Sequence, residues 1–288
     1  MSKFKIVTDA SCDLPPELLD KYDISDVRFY VTFDGSNYLK ESVDITHAEY
    51  FRRLDTEPNF PKTSQPSPQD YIDVFTPALQ KGEDVICFCI SSKLSGSYQS
   101  AVNAAEILKE EYPDRKVRVI DTEHAFISMS LMILRAVKFR DEGADVDTAA
   151  DYLEKIKKDT EIFIALETLE NLRRGGRIGG AAAFVGGILN LKPVVRLEDG
   201  ELRPITKVRG RNKSISTLIE EMKKRINGKT DEYEYMVGHA RCEEDGKMLK
   251  TSLEEALGIK IDTPLLDTGV TIGTHIGLGA VAIAYSRK

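Results

Sequence analysis

The chain has 288 residues, of which 41% are apolar and 30% charged, so it can bury a sizeable core and is long for one domain; two medium domains are expected. No run approaches the roughly eighteen apolar residues needed to cross a bilayer, and MSKFKIVTD passes straight into a strand, which points to a cytoplasmic protein without signal peptide or integral membrane segment. A net charge of −7 without a helix-turn-helix pattern speaks against a nucleic-acid partner.

Phe4 to Thr8 reads as a first strand, with Asp9-Ala10-Ser11-Cys12-Asp13 directly after it. Asp13 is placed to cap a helix opened by Leu14-Pro15-Pro16 and running to about Tyr22. Val27 to Phe33 is strand-like, and Asp34-Gly35 ahead of Tyr38-Leu39 marks a hairpin. Thr46 and Glu49 form a capping box for a helix to about Leu54. Ser67 and Pro68 begin the amphipathic stripe Tyr71, Ile72, Phe75, Ala78 and Leu79, which leaves Thr63 and Ser64 in an extended loop stiffened by two prolines.

Val85 to Ile90 (VICFCI) has the unbroken apolar run of a central strand in a parallel sheet. Ser91-Ser92-Lys93-Leu94-Ser95-Gly96-Ser97 follows, and then Tyr98, Ala101, Val102, Ala105 and Leu108 recur at helical spacing. A helix entered at Ser95 or Ser97 aims unpaired N–H groups and its positive dipole end at the sheet's carboxyl edge, where an oxyanion could sit. Plain capping by serine is the competing reading. Lys116 to Asp121 is another strand, and helices cover about 125–141 and 147–159.

The first domain, residues 1–160, is therefore expected to hold a mostly parallel sheet wrapped by helices, with candidate ligand loops at Asp9, Thr63 and Ser95. Residues 161–288 read as a second α/β domain. Glu161 to Leu166 is its first strand, a short helix ends at Arg174 before Gly175-Gly176, and 193–198 with 201–208 form a hairpin. A helix from Ser214 to Ile226, a strand from Tyr233 to His239, a helix to about Leu257, a strand near 259–265 and a last strand at 280–286 complete it. The small apolar stretch Gly179 to Leu191 is best read as tightly packed internal helix, with lining of an apolar slot as the alternative. Glycines at 273, 277 and 279 free the backbone around His275 to bring its imidazole close to a partner.

The cysteines Cys12, Cys87, Cys89 and Cys242 form no CxxC pair and have no histidine at ligand spacing, so neither a metal nor a disulfide framework is expected. Arg173 to Lys213 carries ten basic residues against three acidic ones, a net +7 that leaves −14 on the remainder. Such a face is either merely solvated or a docking surface for an acidic partner or phosphate.

TDASCD, TSQPSP, SSKLSGSYQSA, LRRGGRIG, LKPV and IGTHIGLG occur here in an order that resembles the DegV family of bacterial fatty-acid-binding proteins over essentially the full length. The resemblance implies a tunnel between two domains that holds one long-chain fatty acid, such as palmitate, as ligand, with no cofactor. It further implies a non-catalytic subunit that presents the acid to a separate ATP-dependent fatty acid kinase, or a lipid carrier. The family's carboxylate-binding threonine and serine fall on Thr63 and Ser95, and its histidine falls on His275. Ala10 stands where many members have serine, and Leu278 where proline is usual.

Thr63 and Ser95 hydroxyls with backbone N–H groups near Gly96 and Ser97 suit a carboxylate held where water is scarce. No basic side chain of these motifs except Lys93 is expected beside that head group, which would leave its oxygen nucleophilic. The basic residues Arg173, Arg174 and Arg203 are the candidates for kinase docking. The rival function is a serine hydrolase with Ser95, His275 and Asp9 as nucleophile, base and orienter, although no GxSxG is present.

Overall fold

The computed structural model describes residues 4–184 and 191–288. Phe4–Asp9, Ile24–Val27, Asp84–Cys89 and Val117–Asp121 form a four-stranded sheet in which every pair is parallel. Asp84–Cys89 lies inside that sheet and is buried along its whole length. Its two faces serve different cores. Ile86 and Phe88 pack with the helix Phe126–Asp141, whereas Val85, Cys87 and Cys89 pack under the helices Pro68–Gln80 and Ser97–Glu111. A strand covered by helices on both sides has no face for polar side chains, hence VICFCI.

A six-stranded sheet runs in the order Glu201–Arg209, Leu191–Glu198, Thr160–Ala165, Val281–Arg287, Tyr233–His239, Leu265–Asp267, and only the last pair is parallel. Alternation along Val281–Arg287 sends Val281, Ile283 and Tyr285 toward the helices Arg211–Ile226 and Glu243–Leu257. Ala282 and Ala284 face Phe126–Asp141 instead. These small side chains let that helix approach closely, and Gly238 on the neighbouring strand completes the fit, since a methyl group there would overlap the Phe126 ring. Phe126–Asp141 is thus enclosed between the two large sheets, with ten of its sixteen residues buried, which is why its sequence shows no clean polar face. The strands of the two sheets separate near residue 160, while one apolar core extends across both.

Several local expectations change. The stretch Val27 to Phe33 is not one strand: Ile24–Val27 joins the parallel sheet, and Tyr30–Thr32 joins a small antiparallel sheet with Leu39–Lys40 and Lys62–Ser64. Between them Phe29 is drawn into the core at 2% exposure. Thr63 consequently sits on a strand opposite Val31, not in a loop. Asp13 does not cap the helix Pro16–Lys21; it takes the left-handed region at φ 54 with its side chain turned inward. The strand expected near 259–265 is only Leu265–Asp267, because Pro264 ahead of it has no N–H for a ladder. The helix Val270–Ile276 was hidden by Gly273 within it and by Gly269 and Gly277 at its caps; Gly273 is small because Phe51 packs on it, 2.9 Å from where a methyl carbon would stand. Gly179–Phe184 is a 3₁₀ turn with Ala181 buried, and the rest of that small apolar stretch, 185–190, lies outside the described residues. Among the described residues no helix is long and apolar enough to cross a membrane.

Candidate functional site

Thr63 on the strand Lys62–Ser64, Ser95 in the turn ahead of Ser97–Glu111, and His275 near the end of Val270–Ile276 line a common cavity of about 290 Å³. That volume is far beyond a packing defect of one or two waters and sits at the small end of ligand pockets. Its apolar wall is drawn from the six-stranded sheet (Ile164, Leu197, Leu202), the start of the helix Phe126–Asp141 (Phe126), the residue just past the strand Asp84–Cys89 (Ile90) and the helix Val270–Ile276 (Ile276). Ser64, Gln65, Arg177 and Thr271 are the remaining polar groups on the wall.

Contacts among the polar groups gather most of them at one end. His275 Nε2 and Thr63 Oγ1 are 2.9 Å apart. Arg177 donates from Nε to the Leu94 carbonyl at 3.1 Å and from Nη1 to the Gly175 carbonyl at 2.7 Å, which fixes its guanidinium between the Ser95 turn and the imidazole. Gly175 itself packs against the ring, and a methyl group there would overlap Nδ1. Gly96 likewise leaves room for the Gln65 amide.

Burial, reinforced by the nearby Arg177 charge, pushes the His275 imidazole down to about 4, so the ring is neutral at pH 7. Its Nδ1 is shielded from water and has no partner among the described residues. Placing the single proton on Nε2 avoids a buried, unpaired N–H and makes Thr63 Oγ1 the acceptor. The Thr63 hydroxyl proton is then free to be donated into the cavity. Ser95 behaves similarly: its Oγ accepts from Ser97 N–H at 3.2 Å in the turn ahead of the helix, whose cap residue is Gly96 and not a serine, and its own proton remains to be given.

Gly96 and Ser97 do not stand on the cavity wall. The Ser97 hydroxyl donates to Asp9 Oδ2 at 2.8 Å and meets Tyr71 OH at 2.7 Å, behind the wall. Asp9 also accepts from Ile90 N–H at 2.9 Å and from the Ser11 amide and hydroxyl, so one carboxyl group ties the first loop to the Ser91–Ser97 turn. Burial pushes it up to about 6 against the pull of these donors. The hydrolase arrangement is not assembled: His275 bonds Thr63 and not Ser95, and Asp9 is engaged elsewhere. Among the described residues no cluster of His, Cys, Asp and Glu is suited to a metal ion.

The DegV family model, described as an uncharacterised protein family, matches residues 3–288. The chain belongs to the DegV family. A DegV domain-containing protein of Caldanaerobacter subterraneus subsp. tengcongensis is 34% identical over 296 residues, covering all of both chains. Among solved structures, a stearic-acid-binding protein of Eubacterium ventriosum superposes with a TM-score of 0.93 at 34% identity over 99% of this chain and 98% of that one. A DegV family protein of Thermus thermophilus, described by its fatty acid binding, gives 0.87 at 32% over 99% and 100%.

Neither departure from the usual DegV motifs reaches the cavity wall. Ala10 is buried in a 3₁₀ turn, and Leu278 packs with the Val31 and Phe33 cluster. The basic side chain on the cavity wall is Arg177, whereas Lys93 is exposed and off the wall, so the expectation that Lys93 alone among basic residues would stand near Thr63 and Ser95 does not hold. Arg177 is the third arginine of LRRGGRIG, and its distance in sequence from Thr63 and Ser95 hid its place on the same wall. Gln65 and Ser64 were visible as Thr63's neighbours in TSQPS but carried no separate signal. Arg173 pairs with Glu170 at 2.7 Å, Arg203 with Glu201 at 3.0 Å, and Arg174 lies 4.6 Å over the Phe60 ring.

Proposed function

We propose that this DegV protein binds one long-chain fatty acid, with the acyl chain in the apolar part of the cavity and the carboxylate at the Thr63–Ser95–His275 end. The observation that carries the reading is a largely apolar chamber lined by Thr63, Ser95 and His275, with two hydroxyl protons not committed to partners among the described residues. The fatty acid binding described for the structural relatives supports the choice of ligand. Burying about fourteen methylenes at roughly 0.8 kcal/mol each supplies on the order of 11 kcal/mol of gross driving force, so the chain supplies affinity and the head group orientation. Arg177 offsets the carboxylate's charge from one side, and the hydroxyls define its direction.

The finer role is presentation of that carboxylate to a separate ATP-dependent fatty acid kinase, in the cytoplasm, for acyl phosphate formation. In that reading the chain divides near residue 160 into a domain supplying Thr63 and Ser95 and one supplying His275 and the cover. Arg173, Arg174 and Arg203 form the docking face; Arg174 directly precedes Gly175, on which His275 packs, so a partner there would stand beside the head group. The test is acyl phosphate formation, trapped by hydroxylamine, from kinase, ATP and the loaded protein. Product should require this chain and fall when Arg173 and Arg174 are both changed to glutamate while lipid content stays constant. Equal product from free fatty acid without this chain would refute presentation.

A further inference from the structure

The helix Val270–Ile276 brings Thr271, Ile272, His275 and Ile276 to the cavity, and its first turn is held by a carboxylate distant in sequence. Glu41, 2% exposed, accepts from Val270 N–H at 2.7 Å through Oε1 and from the Thr271 hydroxyl at 2.8 Å through Oε2. A second carboxyl group reaches the same space. A methyl group on Gly269 would stand 2.6 Å from Asp13 Oδ1 and 2.7 Å from Glu41 Oε1, so glycine is what lets both acids crowd the helix start. Both Asp13 oxygens are shielded from water and have no hydrogen-bond partner among the described residues.

The charges around the pair do not neutralise it. His47 stands 3.6 Å from Glu41 Oε1. Asp267 faces Asp13 from the end of its strand but is itself tied to Arg241 at 2.7 Å and His239 at 3.2 Å; Asp9 adds a further acid from the same loop. Among the described residues no lysine or arginine lies within ion-pair distance of Asp13 or Glu41. Burial first, and Glu41 second, push the Asp13 carboxyl well above the usual carboxylate range, against the weaker pull of the Gly269 amide, which is nearby but not in hydrogen-bond geometry, so the site favours its protonated form.

We propose that Glu41 is a positioning residue, which fixes the start of Val270–Ile276 and through it the register of His275 against Thr63, with Asp13 packed beside it at Gly269. Glu41 also consumes the Thr271 hydroxyl proton, so Thr271 offers the cavity no donor and the head group is directed to Thr63 and Ser95. The backbone at Asp13, φ 54, is one that Asn adopts as readily as Asp, so the ionisable group can be replaced by a neutral amide without altering the turn.

This inference rests on the fatty-acid reading, and the two fail differently. Delipidated protein is titrated with palmitate and with hexadecanol, which has the same chain and no carboxylate. Glu41→Ala is expected to lose about tenfold or more in palmitate affinity, the scale of a lost charge-assisted hydrogen bond, with hexadecanol affinity unchanged. Asp13→Asn should match the wild type on both ligands. Where Glu41→Ala does not fold, Glu41→Gln should give a several-fold loss on palmitate alone. Equal losses on both ligands, retained palmitate affinity in the glutamate variants, or a palmitate loss in Asp13→Asn as large as in Glu41→Ala would overturn the proposal. Wild type that binds neither ligand removes the lipid reading and this inference with it.

Discussion

Replacing Thr63 by valine removes one oxygen while keeping the β-branched shape that suits the strand Lys62–Ser64. Two consequences separate. The donor to the ligand carboxylate is lost, and a hydrogen bond to a charged group is worth about 1.5–3 kcal/mol, so affinity should fall about ten- to a hundredfold. The His275 Nε2–H, which meets Thr63 Oγ1 at 2.9 Å, is left unpaired, which should cost the unliganded protein about 1–3 kcal/mol of stability. Because the acyl chain supplies roughly 11 kcal/mol of gross driving force, binding should be weakened and not abolished. Isothermal titration of delipidated protein with palmitate reads the first effect, and urea unfolding without ligand reads the second. Unchanged palmitate affinity in Thr63→Val would refute the head-group assignment, whatever happens to stability.

Gly175→Ala places a methyl group against His275 Nδ1 and should reduce palmitate affinity about tenfold by displacing the ring, while hexadecanol binding, measured in parallel, stays level. Arg177→Gln removes the cation beside the head group and should weaken palmitate at low salt more than at high salt; a salt-independent loss would show that Arg177 acts by packing alone. His275, held down to about 4 from 6.5, contributes stability that is complete above about pH 6.5 and is lost as pH falls toward 4, up to about 3 kcal/mol. Urea unfolding across that window should show a steeper acid loss in wild type than in His275→Gln, and parallel curves would contradict the assigned burial of the ring.

What could be read in the sequence was what repeats or punctuates. VICFCI announced a strand covered on both faces, and Ser67-Pro68 announced a helix start; the structure has both, with Ser67 and Asp70 in a full capping box. Thr63, Ser95 and His275 could be grouped because family motifs carry them, and they share one cavity. Tertiary effects were not legible. Gly273 belongs to a helix because Phe51 needs its bare face, a reason lying more than two hundred residues away. Asp13 reads locally as a helix cap, yet Glu41 and Gly269 surround it, and only the folded chain brings those acids together. Ser97 looked equivalent to Ser95 in SSKLSGS, but Ser95 stands in the turn and Ser97 opens the helix, and that change of backbone sends one hydroxyl to the cavity and the other to Asp9.

The central claim is that this chamber holds a fatty acid, and its most direct test is organic extraction of the purified protein followed by mass spectrometry. The account predicts a long-chain fatty acid approaching one molecule per chain, depleted in a Thr63→Val, Ser95→Ala double variant. An extract free of fatty acid, from protein that also takes up no added palmitate or stearate after delipidation, would contradict it.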